Sequence, residues 1–259
     1  MMENLRVVYS NLWRDAVMLG ASSEDPQYPA ENTQDDDTSF VWRSAAAALT
    51  PTIDVDLGVA TIYDYIALLN HNFIAGATIQ VKGADDSAFT TNVVTDTITF
   101  NGVNVRAFLG TARTKRYVRV SIADASNPSN YIQIGTIVIG KYVDLGSPVM
   151  AEGYEDGPAA ESDMAESASG NEYLVNERAS RDTLAFQIRI AGASAPTYKA
   201  AILSMVSSAQ NVNCVEWVFD YTAPNTAGNA MWARMTTINR AIYSHVNYWT
   251  WATEIKASA

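Results

Sequence analysis

Thr52-Ile53-Asp54-Val55-Asp56-Leu57-Gly58 decides the fold class of this chain. Apolar and polar residues alternate with a period of two, β-branched residues dominate, and a glycine closes the run. That is the pattern of a strand with one buried face. The texture continues outward. Ala60 to Leu69 is apolar and β-branched, and Thr78-Ile79-Gln80-Val81 alternates until Gly83-Ala84-Asp85-Asp86. Ile98-Thr99-Phe100, Val105 to Leu109, Tyr117 to Ile122 and Tyr131 to Ile139 complete the series. Short runs punctuated by Asn, Asp and Gly predict an all-β sandwich or barrel over residues 1–143.

From Val143 the composition shifts. Residues 144–172 carry Asp144, Glu152, Glu155, Asp156, Glu161, Asp163, Glu166 and Glu172 without a Lys or Arg, which predicts an acidic linker or long loop. Alternation returns at Leu184, Phe186, Ile188 and Ile190. Ser194-Ala195-Pro196 then opens the one segment of good helical period, with Tyr198, Ile202, Met205, Val206 and Ala209 on one face. Val215 to Tyr221, Met231 to Ile238 and Trp249 to Ile255 read as strands. Residues 173–259 are thus expected to form an α+β domain, one helix on a sheet, and the whole chain to be mainly β.

Composition bounds the function. At 259 residues, 48% hydrophobic and 17% charged, the chain buries an ordinary core. Its net charge of −11 is shared: residues 1–143 hold 15 acids against 10 Lys and Arg, and residues 144–259 hold 13 against 7. Such a surface repels phosphate backbones, so specific nucleic-acid binding is not expected. A neutral sugar or another protein fits better. Cys214 is the only cysteine, which excludes an intramolecular disulfide. No apolar run approaches a membrane span or a signal core, so synthesis in a cytoplasm without membrane insertion is expected. No nucleophile motif, Gly-rich phosphate loop or H-E-x-x-H occurs, and the chain is not expected to be an enzyme.

The first half resembles the discoidin, or coagulation-factor C-type, galactose-binding-like family, with the pieces in the family's order. Ala21-Ser22-Ser23 precedes Tyr28-Pro29-Ala30-Glu31-Asn32 and the turn Asp35-Asp36-Asp37-Thr38. Val41-Trp42-Arg43-Ser44, Ile53 to Gly58, Arg116 to Val120 and the closing strand Ile134 to Gly140 follow. The resemblance implies a jelly roll with Trp42 as a core anchor. Ile66 to Phe73, leading into Ala77 to Val81, resembles a variant of this domain found in structural proteins of tailed phages. The order of elements in the second half, with its last run Trp249 to Lys256, is similar to the tail-tube and distal-tail-protein fold, whose domains assemble as rings around a DNA channel.

Three groups of residues are candidate sites. His71, Asn72 and Phe73 sit at a strand end; they suit either a sugar's hydroxyls and ring face or a tight structural loop. Asp35, Asp36 and Asp37 crowd carboxylates and carbonyls into one turn, which fits either a structural Ca²⁺ or a solvated acidic turn. The family usually adds a Glu from the closing strand, and this sequence has Gly135 there. Glu152, Glu155, Asp156, Glu161, Asp163 and Glu166 would face the lumen of a ring and repel passing phosphates, or else form a solvated loop. The resulting expectation is a structural protein of a phage tail tip or baseplate, located in the virion. It would form a homo-oligomeric ring such as a hexamer with other virion tail proteins and contact a host surface glycan. The alternative is a carbohydrate-binding adhesin whose jelly roll is the ligand-binding part.

Overall fold

A computed structural model describes residues 5–100, 104–145, 149–150, 155–159, 163–166, 172–176, 181–191, 195–209, 213–226, 229–238, 242–245 and 248–258. The chain divides into two compact units, Met1–Ser147 with Val215–Met231, and Pro148–Cys214 with Trp232–Ala259.

Among the described residues the first unit is all β apart from one 3-10 turn, Ala30–Gln34. Its strands are β1 (Arg6–Val8), β2 (Val17–Ala21), β3 (Trp42–Arg43), β4 (Thr52–Leu68), β5 (Thr78–Ala84), β6 (Val94–Thr99), β7 (Val105–Ala123), β8 (Gln133–Ile134), β9 (Ile137–Gly140) and β10 (Val143–Asp144). The longest, β4 and β7, have 17 and 19 residues and pair antiparallel from Thr52↔Ser121 to Leu68↔Val105. Two shorter strands were expected in place of each. Gly58 does not stop β4. It takes φ +79°, a conformation open to glycine, where the register shifts between Asp56 and Thr61. Before this break β4 pairs with β2, and after it with β9. On its other side β7 carries β5, which carries β6. The expected sandwich is present, and its interior is filled by Trp13, Trp42, Ile53, Val55, Ile66, Ile79, Val118, Val120, Ile134 and Ile139, among others. Trp42 is fully buried, as the family pattern implies.

The first unit also claims residues 215–231, which the sequence pattern assigns to the C-terminal domain. Val215–Val218 pairs antiparallel with β1, whose other edge takes β10. Every residue of this strand is buried, including Glu216. The reason is electrostatic. Glu216 accepts hydrogen bonds from Arg106 Nε and, at 3.3 Å, from the Tyr65 hydroxyl, and Arg106 is itself only 6% exposed. Asn225 closes the contact, accepting from the Arg106 backbone N–H at 2.7 Å and donating to its carbonyl at 3.2 Å. Nearby, the Arg6 guanidinium lies 3.7 Å from the Tyr221 ring centroid and 4.4 Å from that of Tyr142. Burial, then the Glu216 charge, pushes the Tyr65 phenol well above its usual pKa. A carboxylate buried this deeply needs a cation beside it, and Arg106 of the jelly roll supplies it.

In the second unit, Arg181–Ala191 pairs with Tyr248–Ala257, which on its other edge takes Ala230–Ile238 and Ile242–His245. The helix Ala195–Ala209 buries Ile202, Met205 and Ala209, as its period predicts. The expected linker or loop at 144–172 is corrected. Val149–Met150 and Glu155–Ala159 add to Arg181–Ala191, and Asp163–Glu166 pairs with Glu172–Asn176. Backbone ladders are indifferent to side-chain charge, so an acidic composition does not exclude strands. The aromatic run of the second half is divided as well. Trp217 and Phe219 are buried in the first unit, Trp232 and Trp251 in the second.

Replacing Glu216 with Ala would leave Arg106 buried without its carboxylate. Urea denaturation should show a loss of roughly 3–5 kcal/mol for Glu216→Ala. A loss below about 1 kcal/mol would contradict a buried, hydrogen-bonded pair.

Candidate functional site

The register brings the start of β4, the end of β7 and the start of β5 to the same end of the jelly roll (Thr52↔Ser121, Thr78↔Ala123). The connecting segments around residues 22–28, 44–51, 69–77 and 124–132 therefore gather there. Backbone hydrogen bonds tie them together: Ser22 N–H to Thr52 O at 2.8 Å, Ala47 N–H to Asn130 O at 2.8 Å, and Ser44 N–H to Ile132 O at 2.9 Å.

At this end β3 and β8 pair, Trp42↔Ile134 and Arg43↔Gln133. Alternation sends Trp42 into the core and Arg43 outward. The Arg43 guanidinium lies between two rings, 4.0 Å from the Tyr28 centroid and 5.1 Å from that of Tyr131. Its Nε donates to Gln133 Oε1 at 2.9 Å, and Arg43 N–H donates to Tyr28 O at 3.1 Å. Tyr28, Arg43, Tyr131 and Gln133 are all partly exposed. Planar aromatic faces beside a fixed fork of N–H donors can hold the apolar face and the oxygens of a sugar ring. Sequence reasoning placed Tyr28 and Arg43 in the family pattern without giving them a role. Gln133 lies 90 residues from Arg43 along the chain, with Tyr131 two residues before it, and the β3–β8 pairing brings them to Arg43.

The predicted trio His71, Asn72 and Phe73 lies close by but is turned to structural work, which corrects its assignment as a sugar site. Phe73 is only 7% exposed and belongs to the core. Asn72 spends both ends of its amide on the loop, donating to Tyr131 O at 2.9 Å and accepting from Gln133 N–H at 2.8 Å. His71 stacks on Phe73 with ring centroids 4.3 Å apart, and its Nδ1 accepts from Phe73 N–H at 3.2 Å. Its Nε2 is buried without a hydrogen-bond partner among the described residues. Burial, helped by the Arg106 charge, pushes the imidazole down to about 4, so it is neutral at pH 7.

Asp35, Asp36 and Asp37 do not converge on one point. Asp35 Oδ1 accepts from Asp37 N–H at 2.8 Å, Asp37 Oδ1 accepts from Ser39 N–H at 3.0 Å, and Asp36 pairs with Arg14 at 3.5 Å. No group of three His, Cys, Asp or Glu among the described residues is arranged to hold a metal. The loop's carbonyls are taken by protein donors instead. Asn32 Nδ2 reaches Val41 O at 2.8 Å, Asn70 Nδ2 reaches Thr38 O at 2.7 Å, and Thr136 Oγ1 reaches Asp35 O at 2.8 Å. A Cβ at Gly135 would stand 2.4 Å from Thr38 O, so the position that holds a carboxylate in the family has no room for a side chain. The residues present do not fit a Ca²⁺ ion.

Of the acidic lumen candidates, Glu152 and Glu161 lie outside the described residues. Glu155 and Asp156 fall on the strand Glu155–Ala159, and Asp163 and Glu166 on the strand Asp163–Glu166.

Residues 19–137 match the F5/8 type C domain. The N-terminal part of this chain carries such a domain. Its match covers under half of the chain and leaves both the Val215–Met231 strand segment and the second unit unassigned. Among solved structures, chitosan-binding module 1 of a chitosanase/glucanase from Paenibacillus sp. IK-5 is 25% identical, with a TM-score of 0.42, covering 50% of this chain and 98% of the module. A Clostridium perfringens module, CpGH89CBM32-5, in complex with GalNAc-β-1,3-galactose, is 12% identical with a TM-score of 0.42, covering 51% of this chain and 99% of that one. A GH29 fucosidase of Ruminococcus gnavus, in complex with fucose, is 15% identical with a TM-score of 0.44, covering 52% of this chain but 27% of the fucosidase. No curated protein matches the chain.

The depressed pKa of His71 makes stability depend on pH with a definite sign. The unfolded imidazole gains a proton below about pH 6.5 while the folded one resists until about pH 4. The stabilisation is complete above pH 6.5 and is lost as pH falls toward 4. At pH 5 the wild type should have lost roughly 2 kcal/mol more, relative to pH 7, than His71→Asn, whose amide oxygen can still accept from Phe73 N–H. Parallel pH dependences in urea denaturation would refute a buried neutral histidine. Replacing chelator with millimolar Ca²⁺ should leave the melting temperature within about 1 °C, because a ligand that does not bind the native state adds no stability.

Proposed function

We propose that this chain is a glycan-binding protein whose jelly roll is the ligand-binding part. The sugar would lie against Tyr28, Arg43 and Tyr131 at the loop end. One observation carries this reading: a partly exposed guanidinium held between two tyrosine rings, on an F5/8 type C domain, at the end where four connections meet. The rings offer faces to sugar C–H groups, and the preformed stack limits the ordering required on binding. Binding rather than catalysis is the role proposed.

Assembly in a phage-like tail, with other virion tail proteins and as a ring, is the second reading. It rests on the resemblance of Ile66 to Val81 and on the exposed apolar side chains Val17, Leu19, Val59 and Ile62 of β2 and β4. The lumen role of the acidic residues belongs to this reading. Size-exclusion chromatography with light scattering addresses it: a closed oligomer supports assembly, and a monomer at micromolar concentration argues against it.

A glycan array probed with the full chain should return a defined set of sugars, with affinities in the shallow-site range of roughly 0.01–1 mM. Tyr131→Ala should weaken that binding about tenfold or more, and Phe73→Ala should act mainly on stability. Undiminished binding by Tyr131→Ala and Tyr28→Ala would remove the site.

A further inference from the structure

Seven arginines occur in residues 1–147, and six of them meet a carboxylate: Arg6, Arg14, Arg106, Arg113, Arg116 and Arg119. Arg43 is the exception, with no ion pair among the described residues. Two acids close in sequence to its aromatic partner Tyr28 accept from backbone instead, Glu24 Oε2 from Ala30 N–H at 3.1 Å and Asp25 Oδ1 from Gln27 N–H at 3.0 Å.

The side-chain N–H donors around it outnumber the protein acceptors they meet. Arg43 Nε donates to Gln133 Oε1, the side-chain acceptor of Gln133. Both terminal nitrogens of Arg43, and Gln133 Nε2, have no protein partner among the described residues. What the site offers is therefore a cluster of N–H donors with one formal positive charge, flanked by two tyrosine rings whose hydroxyls both donate and accept. A neutral sugar leaves the guanidinium charge unanswered. A carboxylate or sulfate presents only acceptors, in the planar or forked geometry that a guanidinium matches.

From this geometry, and resting on the glycan-binding reading above, we infer that the site takes an acidic sugar, with its anionic group on Arg43 and Gln133 Nε2 and its ring against Tyr28 or Tyr131. The protein's overall negative charge does not prevent this, because exposed charges beyond about 8 Å are largely screened at physiological salt.

Isothermal titration of the full chain with trigalacturonate and with the neutral galactotriose of the same linkage tests the inference. The acidic trimer should bind about tenfold tighter at low salt, and its advantage should shrink as salt rises to 0.5 M. Arg43→Gln should reduce the acidic trimer to the level of the neutral one, and Arg43→Lys, which keeps the charge but not the fork, should fall between. An unchanged melting temperature in both variants separates this from loss of fold. If a sulfated galactose trimer binds with the same Arg43 dependence and the uronate does not, the anionic group is a sulfate and the inference stands. Equal affinity for acidic and neutral trimers, or acidic binding unaffected by Arg43→Gln, overturns the acidic class and leaves glycan binding intact. No binding to any trimer overturns both.

Discussion

The antiparallel pairing of β4 with β7 is the constraint on which the jelly roll depends. These two strands carry β2, β9 and β5 on their outer edges, and through β5 they carry β6. Strands this long fit a small sandwich only if they change neighbours partway, and the register shifts near Gly58 allow it. A β-branched residue at Gly58 would be strained at that φ. Because the spine fixes which strand ends lie together, it also fixes which loops meet. The candidate site follows from the ladder's register rather than from local sequence.

Two arginines show how environment divides the roles of one side-chain type. Arg106 is buried and has a dedicated carboxylate in Glu216, more than a hundred residues away. That pair draws Val215–Met231 into the first unit and is a matter of folding. Arg43 is partly exposed and has rings and an amide for neighbours. Buried ion pairs seldom add net stability over apolar packing, but breaking one is costly, so Arg106–Glu216 acts chiefly to specify which segment docks there. Arg43 faces no such penalty, and its terminal nitrogens have no protein partner among the described residues.

Much of the fold was legible in the sequence. Period-two alternation marked β5 and the start of β4, apolar β-branched runs marked the end of β4 and the ends of β7, and in the second unit alternation marked Arg181–Ala191 and Tyr248–Ala257. Helical period and Pro196 marked the one helix. Trp42 was identified as core through the family pattern. What escaped has physical causes. A glycine within a strand pattern reads as a stop, yet at Gly58 it is a bulge. Acidic composition reads as a loop, yet Glu155–Ala159 pairs. The segment 215–231 alternates like any strand, and nothing local says that Glu216 answers Arg106 across the chain. Of the candidate site, the sequence marked the neighbourhood. His71, Asn72 and Phe73 belong to the same loop cluster, because polar and aromatic residues at a strand end mark one. Which of them face solvent depends on cross-chain hydrogen bonds such as Asn72 to Tyr131 and Gln133.

The claim at the centre of this account is that ligand meets the protein at the Tyr28–Arg43–Tyr131 stack. Side-chain resonances report on it directly. In ¹H–¹⁵N and aromatic ¹H–¹³C titrations with a sugar that binds, the Arg43 Nε–H and Gln133 side-chain amide signals should shift first and furthest, with Tyr28 and Tyr131 ring protons following. Shifts centred on the 85–93 turn or on residues 215–231, with the Arg43 and Gln133 signals unmoved, would contradict it.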